Sequence, residues 1–176
     1  SSAFYGKYLE QLKKLEEENP NIWDVIDNYW QKSNYTNEFG EKTNASVITA
    51  VKKIKGTFSN TATENSPLLV QLLINNPSDI TMRLYEYAGD NPVKASYAYS
   101  CFIRVKGSDN TTLEFQAIYS GDGLSLKRKN SQKLHEMLMK GGTTKFFIYE
   151  AQTPTTQYNF MIEDKDNGYK KIMGSN

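Results

Sequence analysis

The sequence predicts a mainly β fold with helices (α+β): an antiparallel β-sandwich or barrel, preceded by an N-terminal helical hairpin and interrupted by one short helix between late strands. Three observations predict it. From Val47 onward, apolar side chains recur at every second position, the period of a half-buried strand. The apolar runs are short and separated by clusters that form turns: Asn75-Asn76-Pro77-Ser78-Asp79, Gly89-Asp90-Asn91-Pro92, Gly107-Ser108-Asp109-Asn110 and Gly121-Asp122-Gly123. The start of the chain differs in period and in charge. Residues 1–40 repeat at three and four and hold 4 Lys+Arg against 7 Asp+Glu, while residues 41–176 hold 17 against 13. The chain therefore divides into a helical segment, 1–40, and an antiparallel β domain, 41–176.

In chain order, Tyr5, Tyr8, Leu12 and Leu15 place one apolar stripe on a helix over 3–18. Asn19-Pro20 ends it, because a residue before proline is pushed out of the α region. Ile22, Trp23, Ile26, Tyr29 and Trp30 suggest a second helix over about 20–33, since Trp23, Ile26 and Trp30 share a face. Polar residues 33–46 read as a linker or long loop. The expected strands are 47–58, 67–75, 79–88, 94–106, 111–119, 123–128, 143–150 and 156–163. Between strands 123–128 and 143–150 lies a helix with Asn130 as N-cap and Leu134, Met137 and Leu138 as its apolar face. Gly141-Gly142 would stop it. Cys101, Ile103 and Val105 share one strand face, as do Ile80, Met82 and Leu84, and Phe115, Ala117 and Tyr119.

Composition narrows the function classes. Leu, Ile, Val and Phe make up about 22% of the chain, enough for a packed core when joined by 12 Tyr. The formal net charge of +1 argues against a dedicated nucleic-acid binder. No apolar run is long enough for a transmembrane helix. One Cys and one His exclude a disulfide framework and a multi-Cys/His zinc site. The Ser-Ser start, followed by a polar amphipathic helix, is what would follow the lipidated Cys of a bacterial lipoprotein, and equally what trimming would leave.

The chemistry-bearing residues point away from catalysis. His135 flanks an apolar helix stripe with no nucleophile or carboxylate nominated beside it. Cys101 lies mid-strand on an apolar face, where a thiol is structural rather than reactive. Asp164-Lys165-Asp166-Asn167-Gly168 has its Gly too early for a calcium loop, so it reads as a polar turn. Lys127-Arg128-Lys129, and Lys52, Lys53 and Lys55, read as solvated charges. A glycosidase pair needs no local motif, and Glu86 and Glu114 are the least poor candidates. The positive feature is Tyr85, Tyr87, Tyr97 and Tyr99, two alternating pairs. A hairpin through residues 89–93 would bring them onto one sheet face, where aromatic platforms stack on sugars or anchor protein partners.

The stretch from Leu124-Ser125-Leu126 through the helix over Ser131–Gly142 to Phe146-Phe147-Ile148 and Tyr158-Asn159-Phe160-Met161-Ile162 resembles the C-terminal part of exported bacterial lipoproteins with a β-sandwich domain. Uncharacterised lipoproteins of gut bacteria are among them. The resemblance covers residues 47–163, implies export and a sandwich, and carries over no catalytic residue. The resulting expectation is a non-catalytic exported or cell-envelope protein without cofactor or metal, held in the periplasm, the outer membrane or at the surface by a lipid anchor. It would bind a glycan or protein through its tyrosines. An enzyme inhibitor or accessory protein presenting residues 59–67 or 150–156 is the alternative; a carboxylate-based glycoside hydrolase comes third.

Overall fold

The computed structural model describes residues 2–18 and 29–174. A helix α1 (Ser2–Glu18) is followed by β1 (Trp30–Thr36), β2 (Lys42–Ala50), β3 (Ile54–Ser59), β4 (Ser66–Asn76), β5 (Asp79–Glu86), β6 (Ala95–Lys106), β7 (Thr112–Gly121) and β8 (Gly123–Ser125). Then come α2 (Arg128–Leu138), β9 (Gly142–Glu150), β10 (Gln157–Asp164) and α3 (Gly168–Met173). Every strand pair is antiparallel, in the order β1-β2-β4-β3-β10-β9-β6-β7-β8-β5, and β5 also pairs β4. That last pairing closes eight strands into a barrel, with β1 and β2 as an extension on β4. The sandwich implied by the resemblance is thereby corrected to a barrel. A closed sheet leaves no free edge along its eight strands, and one inward face per strand suffices to fill it.

On β5, β9 and β6 from Cys101 onward, the alternation read from the sequence is the alternation observed; at the start of β6 a register shift between Ala95 and Tyr99 breaks it and leaves Tyr97 exposed. Ile80, Met82 and Leu84 on β5, Cys101, Ile103 and Val105 on β6, and Phe146 and Ile148 on β9 are all buried. Phe146 and Phe160 stack inside with ring centroids 4.6 Å apart, each contributing about 1.5–3 kcal/mol by burial. The expected strand 47–58 is two strands, because residues 51–53 break it: β2 pairs the far end of β4 at Ile48–Ile74, and β3 pairs its near half. The strand expected over 123–128 ends at Ser125, and Lys127 caps α2. Asn130 therefore lies inside the helix rather than at its cap. Gly141 and Gly142 stop it as expected, both at positive φ.

Other expectations are corrected too. Residues 30–33 are strand, and most of the segment read as a linker over 33–46 is the β1–β2 hairpin. In that hairpin, Asn37 Oδ1 accepts the amides of Phe39 and Glu41, and Gly40 takes φ +78°. Residues 20–28 of the expected second helix, and with them the helical hairpin, lie outside the described residues, as do the side chains of Tyr5, Leu12 and Leu15. Tyr8 on α1 is exposed.

The barrel has two unlike ends. One is closed by apolar groups. Leu134, Met137 and Leu138 of α2 are buried there, and Ser131 Oγ takes the Ile80 amide. Trp30, 1% exposed, packs on Tyr169 of α3 at 5.2 Å. The Asp164 carboxylate accepts the amides of Gly168 and Tyr169 at 2.7 and 3.1 Å. The turn expected after the last strand forms over residues 165–167 and leads into a short helix whose first amides the Asp164 carboxylate caps, at the positive end of the peptide dipoles. The other end, where β5, β7 and β9 finish and β6 and β10 begin, is lined by polar side chains.

Candidate functional site

The inward faces run out of aliphatic residues at this second end. In phase with Leu84 comes Glu86; in phase with Ile148 comes Glu150; in phase with Cys101 comes Tyr99; in phase with Ala117 comes Tyr119. The Tyr158 hydroxyl donates to Glu86 at 2.9 Å. Tyr99 stacks on Tyr119 with centroids 5.2 Å apart and planes 8° apart. Tyr119 in turn donates to the Val93 carbonyl. The mouth is therefore a ring of tyrosines and two carboxyl groups over an apolar floor.

Burial sets its electrostatics. It lifts the Glu150 carboxyl above the usual carboxylate range; the Tyr99 hydroxyl opposes that and the Glu86 charge adds to it. It raises the Tyr99 and Tyr158 phenols, with the neighbouring carboxylates Glu150 and Glu86 adding to the effect. The Cys101 thiol is pushed up to about 12, first by burial and then by Glu150, so it is not a nucleophile at neutral pH.

Above the ring lies an open cleft of about 500 Å³. Its wall is Lys94 and the start of β6, with Ser96, Tyr97, Tyr99 and Ser100. Glu150 at the end of β9, with Gln152 and Thr153 of the β9–β10 connection, completes the lining. Tyr97 is 85% exposed. Cleft and ring share Tyr99 and Glu150, which tie an exposed surface to a preorganised interior.

The four nominated tyrosines part company. The hairpin expected between residues 79–88 and 94–106 does not form: β5 pairs β4 and β8, and β6 pairs β7 and β9. β8, only three residues long, pairs β5 at Thr81 and Met82 and leaves that edge of β5 open beyond them, while β4 stays paired on the other side. The connection folds back onto that edge, with the Val93 amide donating to Leu84 O at 2.8 Å. Tyr97 and Tyr99 reach the cleft. Tyr87, at φ +57°, sets its ring edge-on to Phe58 at 4.9 Å on the same end of the barrel. Tyr85 faces outward, covered by Lys53 Nζ at 3.8 Å from its ring centre, and donates to Gln71.

The remaining candidates are structural or separated. His135 Nδ1 lies 2.8 Å from the Tyr169 hydroxyl, and burial lowers its pKa. Glu114 is exposed on the outer face of β7, opposite Arg104, so it does not join Glu86. The carboxyl that does approach Glu86 is Glu150, which sequence reasoning missed. Its signal was there: Thr144, Phe146, Ile148 and Glu150 alternate in phase, so an acid ends an inward-facing series. Among the described residues, no three His, Cys, Asp or Glu side chains gather as a metal site would need. Searches of family models, curated proteins and solved structures found no match to this chain.

Proposed function

We propose that the chain is a non-catalytic binding module of an exported or cell-envelope protein and that it takes a carbohydrate at the barrel mouth. One observation carries this reading: the exposed ring of Tyr97 stands in an open cleft whose other walls offer Ser96, Ser100, Glu150, Gln152 and Thr153. A pyranose ring presents an apolar CH face and a rim of hydroxyls. An aromatic platform ringed by short acceptors and donors matches both. Catalysis is disfavoured because Glu150 lines the cleft while Glu86 does not, so two carboxyl groups do not face one bound sugar across it.

The alternative, an inhibitor or accessory protein, draws on the loops around the same mouth. Asn60 Oδ1 accepts the amides of Ala62 and Thr63, and Thr156 N donates to Thr153 O, so both connections are internally braced. Titration with a neutral and acidic oligosaccharide panel, read by tyrosine fluorescence and calorimetry, separates the two. The proposal expects saturable binding that Tyr97→Ala weakens about tenfold, with no new reducing ends released. Flat titrations across the panel, together with capture of one envelope protein that competes with nothing in it, would favour the alternative. Appearance of reducing ends lost in Glu150→Gln would favour hydrolysis.

A further inference from the structure

The outer surface of the barrel opposite this interior holds a second arrangement with no counterpart at the mouth. Register places three cross-strand rows on β6, β9 and β10: Phe102, Tyr149 and Gln157; then Arg104, Phe147 and Asn159; then Lys106, Lys145 and Met161. These positions alternate with the buried ones, so all face outward. Phe102 and Tyr149 stack at 5.3 Å, and Phe147 lies 5.6 Å from Tyr149. All three rings are half-buried, leaving an aromatic strip open on the sheet.

The cations around that strip are only partly offset: Arg104 has Glu114 opposite it on β7, while Lys106 and Lys145 face each other. Lys106 and Lys145 sit directly opposite each other on neighbouring strands, both exposed. Like charges so placed weaken a strand pair. Arg104 and Lys55 are also exposed, and none of the four makes an ion pair among the described residues. Two shallow grooves, of about 430 and 310 Å³, flank Lys145. The first also has Arg104, Lys106, Thr112 and Phe147 on its walls; the second has Lys55, Thr57 and Met161; Asn159 borders both.

We propose that this face is a second binding site, for an acidic polysaccharide whose carboxylates lie between Lys106, Lys145 and Lys55 and whose rings rest on Phe147 and Tyr149. Charge complementarity decides the class. Glu114 and Glu163 stand exposed at the margins, so the face carries a sparse positive excess rather than a dense one. Sparse carboxylates along a sugar chain match that density. A phosphate at every residue of a nucleic acid calls for the strong basic excess that this chain, at net +1, lacks. Thr57, Thr112 and Asn159 supply hydroxyl partners between the charges.

The test is affinity electrophoresis and calorimetry of the full chain with half-methyl-esterified oligogalacturonate (hereafter oligogalacturonate), its full methyl ester and oligodeoxythymidylate, at low and high salt. Oligogalacturonate is expected to bind at low salt and the uncharged ester not to. The K106E/K145E double variant should weaken it about tenfold or more while keeping the wild-type circular dichroism spectrum. That variant should leave any ligand of the mouth unaffected, and Tyr97→Ala should leave oligogalacturonate binding intact, so the two sites fail or stand separately. Absence of oligogalacturonate binding at low salt, equal binding by the double variant, or tighter binding of oligodeoxythymidylate would each overturn the proposal.

Discussion

At Glu150, burial fixes a pH dependence with a definite sign. The folded carboxyl titrates above its ordinary value of 4.5, chiefly because water is withdrawn from it. Below that value the carboxyl is protonated in both states and costs nothing. As pH rises through it, the unfolded chain ionises first while the native chain keeps its proton, so stability falls until the folded carboxyl has also ionised. Glu150→Gln removes that contribution. Denaturant unfolding at about pH 4 and about pH 7 should show the wild type losing stability relative to the variant across the interval. A difference that stays constant, or grows in favour of the wild type, would contradict the burial argument. The same residue shows what a sequence carries and what it hides. Its phase with Phe146 and Ile148 is written in the chain. That Glu86 approaches it from another strand is not, because the two are joined only by closure of the barrel.

Among the elements, β3 tests how tightly that closure is made. Gly56 pairs Phe160 on one side and Leu68 on the other. A Cβ at this position would stand 2.2 Å from the Asn159 carbonyl oxygen and 2.8 Å from Phe160 Cβ. Backbone cannot yield there without opening the β3–β10 seam. Gly56→Ala should therefore cost about 3 kcal/mol or more, whereas Thr57→Ala, on the outer face, should cost less than about 1 kcal/mol. Equal urea midpoints for the two would show that the seam is looser than described. Elements were legible wherever both strand faces differed, as on β5, β6 and β9. They were illegible on β1, where Trp30 alone is buried and six exposed residues follow. An edge strand with one anchor has no period to read, and Trp30 at helical spacing from Trp23 and Ile26 pointed to the wrong element. The hairpin expected between β5 and β6 failed for a related reason: turn residues at 89–92 announce a reversal of the chain, not which strand lies next to which.

For the whole molecule, the consequence of closure is a division of labour between the ends. Trp30, Tyr169 and α2 seal one end with apolar groups, and the opposite end exposes tyrosines, carboxyls and hydroxyls. Of the four tyrosines nominated from alternation, Tyr97 and Tyr99 reach the cleft. Tyr85 points to the barrel's outer side, where it is buried under Lys53 and beside Gln71, because a barrel sends alternate residues of one strand to opposite sides. The outer basic and aromatic face went unread for the same cause: its charges are scattered over β3, β6 and β9 and meet only when those strands are brought around β10. The most direct measurement is an amide-resolved NMR titration with the tightest ligand from the neutral oligosaccharide panel. Shift changes are expected to be confined to residues 94–100 and 150–153, with Trp30, Tyr169 and α2 unmoved. Changes centred on the sealed end, or no saturable change with any neutral oligosaccharide, would contradict it.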